Sequence, residues 1–357
     1  MTQRTIAVVG SGMVGSALAL GIARRGLADR LVWVGGEIPR PAEAAGQDAR
    51  VIACSAASRD LLDELGVWQQ LPQERLCAYQ KMQVWEQLGT AGLNFRPPDT
   101  AETLGWIVEN TLLNQCIAEQ LIAMDTRVES YLGCQVVGYE SGEQQRLQLD
   151  SGEWLSVDLV LAADGAFSSL RELSGQPTIQ RDTGQRSLVA LLSHSEPHGH
   201  CAWQNFLTTG PVAFLPLPQS QELHQCAIVW SLDREVADEV EALDDKAFLQ
   251  RLSRFAPAQL GQLTAAGGRA AFDICQHRLR QYGQPGLLFV GDAAHRVHPL
   301  AGQGANLGFA DVRCLLGELQ RNLERGESPA GASLLRRYQR QRRWHNDLTL
   351  DLMTALQ

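Results

Sequence analysis

The stretch TIAVVGSGMVGSALALGIARRG, residues 5–26, decides the fold. Residues 5–10 form a short apolar run closed by glycine, which reads as a buried strand. GSGMVG spells Gly10-x-Gly12-x-x-Gly15, a tight turn, and residues 16–26 read as a helix ending at Gly26. RLVWVGG, residues 30–36, is the next strand, so the segment is a βαβ unit with parallel strands and a right-handed crossover. In that setting each glycine has its own task. Gly10 permits the turn, Gly12 lets backbone approach a pyrophosphate, and Gly15 lets helix and strand pack closely. The helix N-terminus then offers N–H groups and the positive end of its dipole to the phosphates. The acid that usually closes the second strand is displaced, because Gly35 and Gly36 stand there and Glu37 follows. Either Glu37 reaches back to a ribose hydroxyl or that contact is lost.

Outward from this unit, the 357 residues exceed what one core usually organises, which predicts two lobes. Helix is expected at 55–67 and 110–124, and half-exposed strands at 79–87 and 92–97. A mixed set of strands should follow, ending with 157–164. Residues 186–194, 200–208, 211–217 and 224–232 read as an antiparallel sheet, with one or two helices between Arg234 and Phe255. A last buried strand is expected at 286–292, then helices near 304–325 and 331–355. The fold class is therefore α/β with an α+β substrate lobe. A Rossmann-like nucleotide-binding domain, discontinuous over 1–72, 102–176 and 271–357, carries an inserted antiparallel-sheet domain from 73–101 and 177–270. The chain stops inside what reads as an unfinished helix.

Two later strands also end in an acid. DLVLAADGAFSSLRE places Asp164 and Gly165 at a strand end, with Ser168 and Arg171 after them. By itself this could be a plain turn. GDAAHRVHPLAGQGANLGFADV, residues 291–312, ends another strand at Gly291-Asp292 and then opens a helix with glycine-rich backbone, a ready anion site. Together and in this order, the three segments point to one extended dinucleotide.

The net charge of −9 argues against nucleic acid as a partner. RRYQRQRR, residues 336–343, is the local exception. It reads as the solvated face of a late helix; the sharper reading is a surface for anionic lipid or an acidic partner. The eight cysteines are scattered and read as reduced thiols in a cytoplasmic protein. No apolar stretch approaches the roughly 20 residues of a membrane span, so any membrane contact is expected to be peripheral. His295 and His298 lack a third ligand, so no metal is expected, and no G-x-S-x-G elbow or nucleophile–base arrangement stands out.

G-x-G-x-x-G at the start, a central D-G-x-x-S-x-x-R and the late G-D-A-A-H…H-P-x-x-G-Q-G-x-N resemble the FAD-dependent aromatic hydroxylases of the para-hydroxybenzoate hydroxylase fold. DARVIACSAASRDLLDELGVW, WIVENTLLNQ, FLPLP and IVWSL narrow the resemblance to the bacterial ubiquinone-biosynthesis hydroxylases, along essentially the whole chain. The resemblance implies FAD held by Gly10, Gly12, Met13, Val14 and Gly15, with Glu37, Arg50, Asn110 and Asp164 near it. At the flavin end it implies Gly291, Asp292, Pro299, Gly302, Gln303, Gly304, Ala305 and Asn306, with His298 and Pro299 positioning the ring. Arg171 would lie near the cofactor and a passing nicotinamide. It further implies hydroxylation of a polyprenylated phenol or quinol through a C4a-hydroperoxyflavin, with dioxygen as co-substrate. A transient NAD(P)H or another electron donor would reduce the flavin. Contacts with other ubiquinone-biosynthesis proteins, a place at the inner face of the cytoplasmic membrane and a C-terminus shorter than the family's are also implied. A flavin reductase or dehydrogenase of prenyl substrates on the same fold, and a non-catalytic quinone-binding subunit, stay open as alternatives. In the substrate lobe, Phe206, Phe214, Leu215 and Trp230 are the candidates to face the flavin, although aromatics in a sheet are more often core.

Overall fold

The computed structural model describes residues 4–39, 48–87, 92–124, 127–219, 224–297 and 303–355. Along the chain run β1 (Thr5–Val9), α1 (Met13–Arg25), β2 (Arg30–Gly35), β3 (Val51–Cys54), α2 (Ala56–Glu64), β4 (Cys77–Tyr79), β5 (Lys81–Glu86), β6 (Gly92–Phe95), β7 (Gly105–Glu109) and α3 (Asn110–Ile122). β8 (Val128–Leu132), β9 (Val136–Glu140), β10 (Gln145–Leu149), β11 (Trp154–Val157), β12 (Leu159–Ala162) and α4 (Ser169–Leu173) lead into the long β13 (Thr178–His194). Next come β14 (Cys201–Leu207), β15 (Gly210–Pro216), β16 (His224–Asp233), α5 (Arg234–Glu241), α6 (Asp245–Leu252) and β17 (Leu263–Leu279). β18 (Gly283–Gln284), β19 (Leu287–Phe289), β20 (His295–Arg296), α7 (Gln303–Glu324) and α8 (Ala332–Ala355) complete the chain.

A six-stranded sheet in the order β18-β19-β12-β1-β2-β8 forms the nucleotide lobe. β1 pairs in parallel with both β2 and β12, so the ends of β1 and β12 lie side by side. Ile6, Ala7, Val8 and Val9 are buried, as are Leu159–Ala162. A strand covered on both faces must be apolar throughout rather than alternating. α1 closes at Gly26, in the left-handed region at φ 61°, with Arg24 and Arg25 in its last turn.

The second lobe is an eight-stranded sheet, β20-β17-β13-β16-β15-β14-β5-β6. Its back face, with Leu188, Phe214, Ile228 and Trp230, packs on Ala237, Val240, Phe248 and Leu252 of α5 and α6. β17 runs unbroken across residue 270, where the sequence suggested a change of lobe. It and β13 pair along almost their whole length, from Thr178↔Leu279 to His194↔Leu263. One ribbon of β13 and β17 thus runs from the eight-stranded sheet towards the six-stranded one. β3, β7 and β4 make a small separate sheet. No helix among the described residues is long and apolar enough to cross a membrane.

Candidate functional site

Four backbone segments of the nucleotide lobe converge: the β1–α1 turn, the end of β12, the β19–β20 loop and the start of α7. With residues 50–52, Asn110 and one face of β13, β16 and β17 they enclose a cavity of about 450 Å³.

The three glycines of the β1–α1 turn play different physical parts. Gly10 has φ 130°, and a Cβ there would lie 2.1 Å from the Ala163 carbonyl oxygen. A Cβ on Gly15 would lie 2.2 Å from the Gly10 carbonyl oxygen. Both glycines therefore let strand, turn and helix approach each other. Gly12 is unlike them: its φ of −75° suits any residue, and a Cβ there would meet nothing within 4 Å. The fold does not require glycine at this position, but space for a group lying against the turn does. Met13 and Val14 line the same cavity beside the α1 N-terminus, which has no side-chain cap and no acid in its first turn. Its N–H groups are left to face an anion.

Asp164 stands just past the end of β12. Its Oδ2 accepts from Leu170 N–H at 3.2 Å, while its buried Oδ1 has no partner. Burial raises this carboxyl above the ordinary range, against the hydrogen bonds and Arg171 that lower it. A buried oxygen without a donor costs about 1–3 kcal/mol, so a donor supplied by a bound molecule fits here. Arg171 itself does not line the cavity. Its guanidinium donates to the Ala166 carbonyl at 2.7 Å and the Ala293 carbonyl at 3.2 Å, tying two site loops together. His277 abuts it, and burial followed by the Arg171 charge pulls this imidazole down to about 4.

Asp292 borders the cavity and makes no side-chain hydrogen bond among the described residues. Burial raises its carboxyl too, opposed by His295 and Arg296. Such a carboxylate accepts the hydroxyls of a sugar-like chain. Gly291, at φ 60°, brings the loop against Val14, and Gly304 and Ala305 present the start of α7 to the cavity. The Asn306 side chain turns elsewhere: it accepts from Ser55 N–H at 3.0 Å and Ser58 Oγ at 2.7 Å, and donates to the Ala53 carbonyl at 2.8 Å. It fastens α7 to the β3–α2 junction. His298, Pro299 and Gly302 lie outside the described residues, as does the Gln303 side chain.

Arg50 and Asn110 meet because Asn110 N–H donates to the Arg50 carbonyl at 2.9 Å, and both line the cavity. Behind them a buried Glu109 receives both Arg75 Nε at 2.6 Å and Nη2 at 2.7 Å. Glu37 is exposed beside Gly133 and borders a different depression, with Gln115 and Glu119.

Of the candidates in the second sheet, Phe214 and Trp230 turn to the face away from the cavity, while Leu215 and Phe206 share its face without lining it. Phe214 and Trp230 are fully buried under α5 and α6, and Leu215 belongs to another buried cluster. None of these three, nor Phe206, lines the cavity. Val189 and Val229, directly paired across β13 and β16, line it with Ser187, Phe272 and Ile274. Successive side chains alternate between sheet faces, so Trp230 turns away wherever Val229 turns in. The arginine of Arg50 lies 5.6 Å above the Phe272 ring, and that of Arg296 6.0 Å above Phe167, at the cavity rim.

Beneath the Gly291–Arg296 loop lies a buried polar network that sequence reading did not find. Asp311 Oδ2 receives Gly291 N–H at 3.0 Å and His295 Nε2 at 2.6 Å, and its Oδ1 receives Arg342 Nε at 2.6 Å. Asn346 bridges Arg342 at 2.8 Å to the Tyr282 hydroxyl at 3.1 Å. Burial alone would raise the Asp311 carboxyl, but His295 and Arg342 outweigh it and hold it at about 2. The network locks the loop that carries Asp292 to α7 and α8. The signal in the sequence was the four-residue spacing of Leu334, Tyr338, Arg342 and Asn346, all buried on one stripe of α8.

Residues 3–352 match the family described as FAD binding domain. The chain is 36% identical over 343 residues to the 3-demethoxyubiquinol 3-hydroxylase of Escherichia coli (strain K12), covering 94% of this chain and 85% of that protein. It is 30% identical over 351 residues to the ubiquinone hydroxylase UbiL of Rhodospirillum rubrum, covering 98% and 80%. In fold it is similar to PqsL of Pseudomonas aeruginosa, a probable FAD-dependent monooxygenase. The TM-score is 0.77 at 21% identity, over 99% of this chain and 95% of that one.

Proposed function

The chain belongs to the FAD binding domain family and is an FAD-dependent monooxygenase, and from that premise we propose that it hydroxylates the aromatic ring of a polyprenylated phenol or quinol in ubiquinone biosynthesis. The observation that carries the reading is the shared cavity. One wall is nucleotide-binding backbone with the Asp292 carboxylate, next to a buried Asp164 Oδ1 that has no partner, and the other is an apolar sheet face.

When bound, FAD supplies the activation of dioxygen, chemistry that no side chain offers. This chain's residues do the rest. Gly12, Met13 and Val14 would take the pyrophosphate against the α1 N-terminus, and Asp164 and Asp292 would accept hydroxyl donors of the cofactor. Backbone N–H groups at the start of α7, with Gly304 and Ala305, would offer hydrogen-bond donors to negative charge on the bound cofactor. Val189, Val229 and Ile274 hold the substrate ring against the cofactor and keep water out. Arg50 and Asn110 close the side of the cavity nearest α3. NAD(P)H or another donor docks transiently at the rim, since the chain has one dinucleotide fingerprint and the cofactor takes it. The relatives' names support a hydrophobic quinol substrate and a place among other ubiquinone-biosynthesis proteins.

The test is oxygen consumption by the FAD-loaded protein with a short-chain prenylated phenol and a reduced nicotinamide. The proposal expects uptake matched one-to-one by a hydroxylated product. A saturated prenyl product without oxygen uptake, or a protein that takes up no FAD, overturns it.

A further inference from the structure

The arginine run of α8 does not behave as one solvated face. Arg337 and Arg342 turn inward, Arg337 to Glu318 at 2.6 Å and Arg342 to Asp311 at 2.6 Å. Arg336, Arg340 and Arg343 are exposed, and with Trp344 and Leu348 they repeat at helical spacing on the opposite side of α8 from Leu334, Tyr338 and Asn346. Trp344 is 66% exposed and Leu348 45%. Among the residues whose side chains are described, Asp347 is the acid on this face, and it is held between Arg343 at 3.3 Å and Arg278 at 3.4 Å. Arg336 and Arg340 have no ion pair among the described residues. On an acidic chain of net charge −9, the described part of this face is thus a positive stripe, edged by an exposed indole and a leucine.

We propose that this face of α8 docks the protein on an anionic lipid bilayer. The arginines meet the headgroups, and Trp344 and Leu348 enter the interface. Charge complementarity fits any acidic surface, but the tryptophan among the arginines is the interfacial combination of a helix lying in a membrane plane. The face is also tied, through an ion pair and a strand pair, to the loop that lines the cavity. Arg278, beside Asp347, pairs in register with His295, and the next residue, Arg296, lines the cavity rim below exposed Phe167. Docking here brings the rim towards the phase in which a polyprenylated substrate dissolves, so the inference rests on the substrate class proposed above.

The experiment is co-sedimentation of the FAD-loaded full chain with vesicles of phosphatidylcholine alone or with 30% phosphatidylglycerol added (about that fraction suffices for a negative surface potential). Binding is expected to the mixed vesicles and to be released by salt. Arg336→Gln/Arg340→Gln/Arg343→Gln should weaken it about a hundredfold, near fivefold per arginine. Trp344→Ala should weaken it while leaving its salt dependence in place. Circular dichroism and flavin content check that each variant is folded. Equal binding to both vesicle types, or unchanged binding by the triple variant, overturns the proposal. Retention on immobilised polyglutamate without vesicle binding also overturns it, and assigns the stripe to an acidic protein. Vesicle binding is read without turnover, so its failure leaves the hydroxylase reading intact. Failed hydroxylation of a detergent-dispersed substrate with retained vesicle binding counts against the hydroxylase reading alone.

Discussion

Gly12→Ala separates what the fold needs from what the cofactor needs. In the protein without FAD the new methyl has ordinary backbone geometry, at φ −75° and ψ 170°, and no atom within 4 Å. Alanine for glycine at such a site restricts the unfolded chain and should stabilise the apoprotein by about 0.4–1 kcal/mol. The same methyl projects where the pyrophosphate must lie. Overpacking a close-fitting contact costs about 1–3 kcal/mol, equivalent to roughly ten- to hundredfold weaker FAD binding. Gly15→Ala is the control, because its Cβ would lie 2.2 Å from the Gly10 carbonyl oxygen whether or not FAD is present. Urea unfolding of both apoproteins, with titration of FAD by fluorescence quenching, reads the two effects separately. Wild-type FAD affinity in Gly12→Ala, or an apoprotein as destabilised as Gly15→Ala, would refute the assignment of this turn to the cofactor.

Asp292→Ala should weaken FAD binding about ten- to hundredfold, the worth of a hydrogen bond to a charged group, while the apoprotein keeps its urea midpoint. An unchanged flavin content after dialysis would count against a cofactor contact. Asp311→Asn breaks a buried ion pair and should cost about 3–5 kcal/mol of stability, seen as a large drop in melting temperature; a loss below about 1 kcal/mol would mean that the network does not hold the loop. His277 is held at about 4 against an unfolded value near 6.5. Folding thus favours its neutral form, so its contribution is full above pH 6.5 and is lost as pH falls from there towards 4. Between pH 7 and 5 that amounts to about 2 kcal/mol, and His277→Gln should flatten the pH dependence of the urea midpoint by this much. The same slope in the variant would place the titration elsewhere, for instance at His198, which burial also pulls down to about 4.

The nucleotide lobe was legible because its signals are local. β1, the turn and α1 follow one another within 26 residues, and a strand buried on both faces shows as a plain apolar run. β17 was not legible. Its first half carries Gly267, Gly268 and Arg269 and is largely exposed, so neither an apolar run nor a clean alternation marks it. Its pairing with β13 along nearly its full length makes it a strand. The aromatic candidates Phe214 and Trp230 failed for a related reason: large aromatics attract attention, yet the cavity is lined by Val189 and Val229 on the other face of the same sheet. Arg342 was hidden among arginines whose composition suggests solvent, and only the α8 stripe through Leu334 and Tyr338 reveals its inward direction. Non-local partners such as Asp311, 31 residues away, cannot be read from composition.

If this cavity hydroxylates a prenylated aromatic ring, one atom of dioxygen must end up on that ring. The direct measurement is turnover of the FAD-loaded protein under ¹⁸O₂, with mass spectrometry of the product. A single ¹⁸O on the ring is expected for each molecule formed. Product oxygen drawn from water, or a reduced product with no new oxygen, would contradict it.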